Sequence, residues 1–289
     1  MEDKESRPVH TIKRRGIYIL PSMFTLLGLL CGFYSLVSTI QGNYEHAAWG
    51  IIGAAIFDML DGRVARLLNA ETAFGAELDS LADMMSFGVA PAVLVYLWAL
   101  TPYDKLGWLA AFLIVAGSAL RLARFNVQLA SQDKRYFQGL PTPALAIFMA
   151  SGVLFYSSFD ATPSSVLWLI LSIALAWLLV SNVRFLSGKD IDLKQRRSFA
   201  VLVAILAAVV LLVLDPERVL FFVFFAYCVH GPIMSVWQGQ KAARLRLKKR
   251  LARAKAKQTA KQTAKQTAKQ TSKQSVEQSV KQDDIDNAD

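Results

Sequence analysis

Four aspartates within 26 residues have the spacing of a metal site. Asp58, Asp61, Gly62, Ala65 and Arg66 stand at i, i+3, i+4, i+7 and i+8, which puts them on one face of a helix. Gly75, Asp79 and Asp83 stand at i, i+4 and i+8 and share a face of a second helix. Each helix thus presents two carboxylates. Four carboxylates held together repel one another and resist ionising. A pair of divalent cations removes the conflict, and oxygen-only ligands select hard ions such as Mg2+ or Mn2+. Gly62, which has no Cβ, lets a ligand approach the backbone, and Arg66, one turn from the acids, is placed to pair with a phosphate. The bland alternative is that the acids merely pair with Arg63, Arg66, Arg121 and Arg124. The clustering of the carboxylates on two short stretches speaks against that for the whole set.

The elements that position these residues are membrane helices. The chain has 289 residues, 54% hydrophobic and only 19% charged, with mean hydropathy +0.35, whereas soluble domains carry about 25% charged residues. Of the net charge of +10, the last 51 residues hold +9, and residues 1–238 hold 18 Lys/Arg against 17 Asp/Glu. A nearly neutral, apolar body with a basic tail excludes a soluble enzyme. It also excludes a nucleic-acid-binding domain, whose basic footprint should lie on a folded surface.

A bilayer core needs about 20 mainly apolar residues per helix. Eight stretches qualify or nearly so: 18–39, 46–68, 79–100, 106–130, 143–159, 164–183, 198–214 and 219–237, the fifth and seventh being short. Loops rich in Lys and Arg alternate with poor ones. The N-terminus has Lys4, Arg7, Lys13, Arg14 and Arg15, the 131–142 loop has Lys134 and Arg135, and the 184–197 loop has Arg184, Lys189, Lys194, Arg196 and Arg197. The 40–46 and 160–163 loops have none. The positive-inside rule then predicts an all-α polytopic bundle of about eight transmembrane helices with both termini cytoplasmic. The expected organisation is a cytoplasmic segment 1–15, a membrane domain 16–238 and a basic, low-complexity tail 239–289. In this topology Asp58, Asp61, Asp79, Asp83, Arg121 and Arg124 all sit at cytoplasmic helix ends, where they could line one cavity. Ionisable residues at such depth are costly and point to function.

The run Asp58-x2-Asp61-Gly62-x2-Ala65-Arg66-x8-Gly75-x3-Asp79-x3-Asp83 resembles the signature of the CDP-alcohol phosphatidyltransferases at every fixed position. The stretches Asp79–Pro91, Arg121–Asn126 and Phe137–Pro143 are similar to the membrane-integral, serine-using branch of that family. The resemblance covers about residues 16–237. It implies that Asp58, Asp61 and Asp79 bind one metal, that Asp58, Asp79 and Asp83 bind the other, and that Asp83 is the general base. It also implies that Gly62, Arg66 and Thr72 hold the head group of CDP-diacylglycerol. Family members often open the first span with Pro-Asn-x-x-Thr. Here Pro21-Ser22-Met23-Phe24-Thr25 keeps Thr25 as a nucleotide contact and replaces the Asn by Ser22. The implied reaction transfers the phosphatidyl group to the hydroxyl of L-serine, giving phosphatidylserine and CMP at the cytoplasmic face of the cell (inner) membrane. The family also implies a homodimer.

The signature sets the reaction class, not the alcohol. The carboxylate of serine needs a cation, which Arg121 and Arg124 could supply. Asn126 and the Ser86-Phe87-Gly88 segment could complete the pocket. Snorkelling or positive-inside anchoring would explain the two arginines as well. Glycerol 3-phosphate or another polar alcohol remains an alternative acceptor, since it too would need cations. A different class, an ion-coupled transporter, commonly shows internal repeats, and residues 58–83 are not repeated in the second half of the chain. Partners are CDP-diacylglycerol, L-serine and membrane lipids, with no nucleic acid.

Cys31 and Cys228 lie in apolar runs and form neither a disulfide framework nor a metal spacing. His10, His46 and His230 are scattered and are assigned no catalytic role. Pro91 is expected to kink the third span, and Gly139, Pro141 and Pro143 to form a rigid turn into the fifth. Trp49, Trp98, Trp108 and Trp237 read as interfacial anchors. In the tail, residues 239–257 look like a basic helix drawn to anionic lipid, and 258–281 repeat a Thr-Ala-Lys-Gln unit with the composition of a disordered segment.

Overall fold

Long apolar runs, interrupted by turn residues, fold into helices throughout the body of the chain. The computed structural model describes residues 9–128, 136–186, 199–235 and 237. The chain divides into two units, Met1–Ile233 and Met234–Asp289. The basic tail and the basic loops after positions 128 and 186 lie outside the described residues, so the expectations for them are not addressed structurally.

The first unit contains α1 (Val9–Ile40), α2 (Tyr44–Leu67), α3 (Ala73–Asp83), α4 (Ala90–Val95), α5 (Asp104–Gln128), α6 (Thr142–Ser157), α7 (Ser165–Val180) and α8 (Phe199–Leu214). A last helix, α9, covers Pro216–Ser235 and runs across the boundary between the two units. Ile19–Ile40, Ala73–Val127 and Pro216–Ser235 are helical stretches long and apolar enough to cross a membrane. The second of these reverses at Thr101–Asp104, where a 3-10 turn leads into a positive φ of 41° at Asp104. Gly107 makes that reversal possible. A Cβ there would lie 3.0 Å from the carbonyl carbon of Leu100 and closer still to its oxygen.

Many large apolar side chains face outward, among them Leu30 and Phe33 on α1, Phe112 on α5, Ile170 and Trp177 on α7 and Phe222 on α9. A soluble monomer rarely exposes apolar surface on this scale; lipid is its natural cover. This is a helical membrane protein.

Small residues let the helices approach closely, as is common where lipid gives no hydrophobic drive to associate. On α2, a Cβ at Gly50 would come within 3.0 Å of the Cys31 carbonyl oxygen on α1. Ala47, Ala48, Ile51 and Ala54 of α2 are buried with Ala146, Ala150 and Val153 of α6. A second core gathers around Trp168 of α7, with Ala110 and Ile114 of α5 and Leu145, Phe148 and Met149 of α6. Half-buried Trp98 packs against this core, its ring meeting Trp168 edge-on at 5.0 Å and Tyr156 at 5.6 Å. Trp49, Trp108 and Trp237 are exposed. Cys31 and Cys228 are free thiols, Cys228 being buried.

Between α3 and α4 the helix does not simply kink at Pro91. Residues Met84–Val89 form a π-helical turn. Pro91 has no N–H for the Phe87 carbonyl, and the helix widens just before it. The Ala90 N–H bonds to Met85 O, five residues back, as a π-bulge requires. A second π-turn covers Tyr96–Leu100. The strand-free expectation needs one addition. Tyr136–Gln138 and Arg184–Leu186 form a three-residue antiparallel ladder, with Phe137 opposite Phe185. It continues into the turn before α6, where the Gly139 N–H bonds to Val183 O. Gly139 has φ +81° and packs against Leu179 O, then Pro141 and Pro143 open α6. The expected rigid turn is present.

Candidate active site

The acids converge because α1, α2 and α3 pack together at one end. α2 carries Asp58 and Asp61, α3 carries Asp79 and Asp83, and α1 crosses beneath both. Ligand oxygens of Asp58, Asp61 and Asp79 all lie within 4.8 Å of one another. Asp83 borders the same small void as Asp58, Asp61 and Asp79. Thr25 of α1 donates its hydroxyl to Asp61 Oδ2 at 2.8 Å, with the Pro21 carbonyl 3.2 Å away on its other side. Asp61 and Thr25 are both buried.

Among the described residues, no lysine or arginine forms an ion pair with any of these four carboxylates. The simple pairing with Arg63, Arg66, Arg121 and Arg124 is therefore not what holds them together. Clustered carboxylates without counter-charges fit a divalent cation, and this cluster is of a kind that could hold one.

A cleft of about 250 Å³ opens beside the acids. Its walls include Pro21, Ser22 and Thr25 of α1, Asp61, Gly62 and Ala65 of α2, the connection Ala70–Thr72, and Gly75, Ala76 and Asp79 of α3. Each segment has a local reason for its place. Thr72 caps α3, its Oγ1 accepting from the Gly75 N–H at 3.0 Å. The same contact leaves no room at Gly75, where a Cβ would meet that oxygen at 3.1 Å. The N-terminal end of α3, on the cleft wall, carries partial positive charge suited to phosphate. At Gly62, nothing but an Arg66 guanidinium nitrogen lies within 4 Å of where a Cβ would be. Arg66 Nε donates back to Gly62 O at 2.7 Å, which lays the guanidinium along the cleft side of α2. A smaller void deeper in, bordered by Thr25, Gly28, Asp58, Asp83 and Ser86, continues the cleft toward the π-turn.

The four residues suggested for the acceptor each have their own hydrogen-bond partners. Ser86, buried, donates to Gly28 O at 3.3 Å and borders the deeper void. Arg121 is buried on α5, within electrostatic range of Asp83 but not in an ion pair with it. Arg124 reaches the C-terminal end of α7, donating to Val180 O and Asn182 Oδ1 at 3.3 Å and to Ser181 O at 3.4 Å. Asn126 is exposed and donates to Ser80 Oγ at 3.0 Å, tying α5 to the helix that bears Asp79 and Asp83. Reasoning from sequence missed Glu71 on the cleft wall, although it adjoins Thr72. It also missed Thr142, the partner of Arg121; only its place inside the Phe137–Pro143 stretch hinted at it.

A family model for CDP-alcohol phosphatidyltransferase matches residues 18–180, more than half of the chain, and that range holds the whole carboxylate cluster and its cleft. The chain belongs to the CDP-alcohol phosphatidyltransferase family. Among individual proteins, it is similar to a CDP-diacylglycerol–serine O-phosphatidyltransferase of Helicobacter pylori, 34% identical over 189 residues, covering 65% of this chain and 80% of that protein. One of the same name from Mycobacterium leprae is 34% identical over 226 residues, covering 75% of this chain and 74% of its own. An archaetidylserine synthase of Methanothermobacter thermautotrophicus is 35% identical over 170 residues, with coverage of 57% and 69%.

Proposed function

We infer that the protein transfers the phosphatidyl group of CDP-diacylglycerol to the hydroxyl of L-serine, producing phosphatidylserine and CMP. The carrying observation is the carboxylate cluster, unpaired with any described base, of which Asp61 and Asp79 line a cleft whose segments bear the family signature and Asp58 and Asp83 border the void beside it. The choice of serine over glycerol 3-phosphate rests on the relatives, from distant lineages, that are named for serine.

Asp58, Asp61 and Asp79 would hold one divalent cation, and Asp58, Asp79 and Asp83 a second, Mg2+ or Mn2+. When bound, such a pair neutralises a pyrophosphate and stabilises the leaving CMP. The protein's own residues do the rest. Gly62 lets the head group approach the α2 backbone. Arg66, Thr72 and the start of α3 offer donors to phosphate oxygens, and Thr25 both borders the cleft and fixes Asp61. Asp83, which borders the smaller void, takes the proton of the serine hydroxyl as its oxygen attacks the lipid-bearing phosphorus. The bond from that phosphorus to the CMP oxygen breaks. The acyl chains stay in lipid against the exposed apolar faces, so only the polar head enters the cleft. Arg121, buried and within electrostatic range of Asp83, is the cation we assign to the acceptor carboxylate. Eight membrane crossings, with the acids at the cytoplasmic side of the cell membrane, complete the reading on the positive-inside pattern.

The test is release of CMP by purified protein from CDP-diacylglycerol, with each acceptor in turn. Serine with Mn2+ or Mg2+ should support it, a chelator should stop it, and Asp83→Asn should release none. Release with glycerol 3-phosphate but not serine would reject the acceptor; none with any alcohol would reject the reaction.

A further inference from the structure

Arg121 is the most buried arginine of the described body, 8% exposed. A guanidinium at such depth needs partners for its N–H groups. One is supplied from another helix: Arg121 Nη1 donates to Thr142 Oγ1 at 2.7 Å. Thr142 is fully buried at the first turn of α6, fixed there by Pro141 on one side and Pro143 on the other. Arg121 Nε, also buried, has no partner. Asp83 faces the guanidinium without pairing with it. One edge of the guanidinium is thus pinned to α6, and a buried N–H remains free on the side chain. No ion pair bridges this cation and the proposed base.

We propose that Thr142 is a positioning residue for the acceptor: its hydroxyl holds Arg121 so that the free guanidinium N–H receives the carboxylate of the amino-acid substrate. This rests on the serine reading above. It adds that acceptor affinity depends on a side chain of α6 that is neither one of the acids nor one of the residues lining the cleft. The acceptor hydroxyl then reaches Asp83 while its carboxylate stays on Arg121, one short molecule spanning the two. Without the Thr142 hydroxyl, Nη1 loses its acceptor among the described residues and the guanidinium is free to turn toward other oxygens, including those of Asp83.

Thr142→Val keeps the shape and removes the hydroxyl. Full-length protein is assayed for CMP release with varied L-serine and, separately, varied CDP-diacylglycerol. The expected result is a KM for serine raised about tenfold or more, the loss of one hydrogen bond to a charged group. The KM for CDP-diacylglycerol should stay as in the unaltered protein, and Thr142→Ser should restore the serine KM. A Thr142→Val protein with unchanged serine KM would overturn the proposal. So would equal damage to both substrates without rescue by Thr142→Ser, which would mark a merely structural role. If the unaltered protein shows no serine-dependent release, the acceptor reading itself fails, a result distinct from either.

Discussion

Thr25 has a role larger than its size. Its hydroxyl donates to Asp61 from a helix that carries none of the acids, and a carboxylate so held is kept in one rotamer facing its neighbours. Groups that orient metal ligands in this way typically govern metal affinity by about 10–100-fold. Thr25→Val should therefore raise the Mn2+ concentration for half-maximal CMP release by a factor in that range, with activity recovering at saturating Mn2+. An unchanged Mn2+ requirement would show that Thr25 serves only the nucleotide. The acids themselves were legible from spacing alone, because i, i+3, i+4 recurrence within one helix is a property of local geometry. The bonds from Thr25 to Asp61 and from Arg121 to Thr142 were not. They join residues 36 and 21 positions apart, and no periodicity within a single helix announces a neighbour on another.

At the scale of elements, the site depends on how closely α1 can lie against the π-turn after α3. Gly32 is the point of closest approach. A Cβ there would fall 2.9 Å from the Ser86 Cα and 2.8 Å from its Cβ. These are backbone and near-backbone atoms that cannot swing away. Gly32→Ala should push α1 off the turn at a cost of about 1–3 kcal/mol, seen as a lower thermal midpoint in detergent together with lost activity. An unchanged midpoint would mean that the helices have room to slide. Sequence alone predicts a kink in this span at Pro91. The widened turn lies one step earlier because the missing N–H of a proline is felt by the carbonyl four residues before it. Apolar pattern and turn residues made the helices readable. The three-residue ladder that ties the loop before α6 to the segment after α7 was not, since strands this short have no alternation to detect.

For the whole molecule, catalytic body and basic tail are separable in sequence. The family match ends at residue 180, and the charge excess begins near residue 239. Deleting residues 258–289 should leave serine-dependent CMP release in detergent unchanged, and a large loss would join the tail to the reaction. The net charge of +10 says little about the body, where the positions of bases and acids matter more than their sum.

The outer flank at α7 carries a further consequence. Ser165–Val180 has 16 residues, about 24 Å at the usual helical rise, and its outward face is apolar at Leu167, Ile170, Ile173 and Trp177. A typical hydrocarbon layer is about 30 Å deep. Where α7 crosses the bilayer as the positive-inside pattern predicts, the leaflets would draw together along this side or take in shorter chains, at a modest cost for each ångström of mismatch. Serine-dependent CMP release should then be higher in vesicles of shorter acyl chains than in thicker ones.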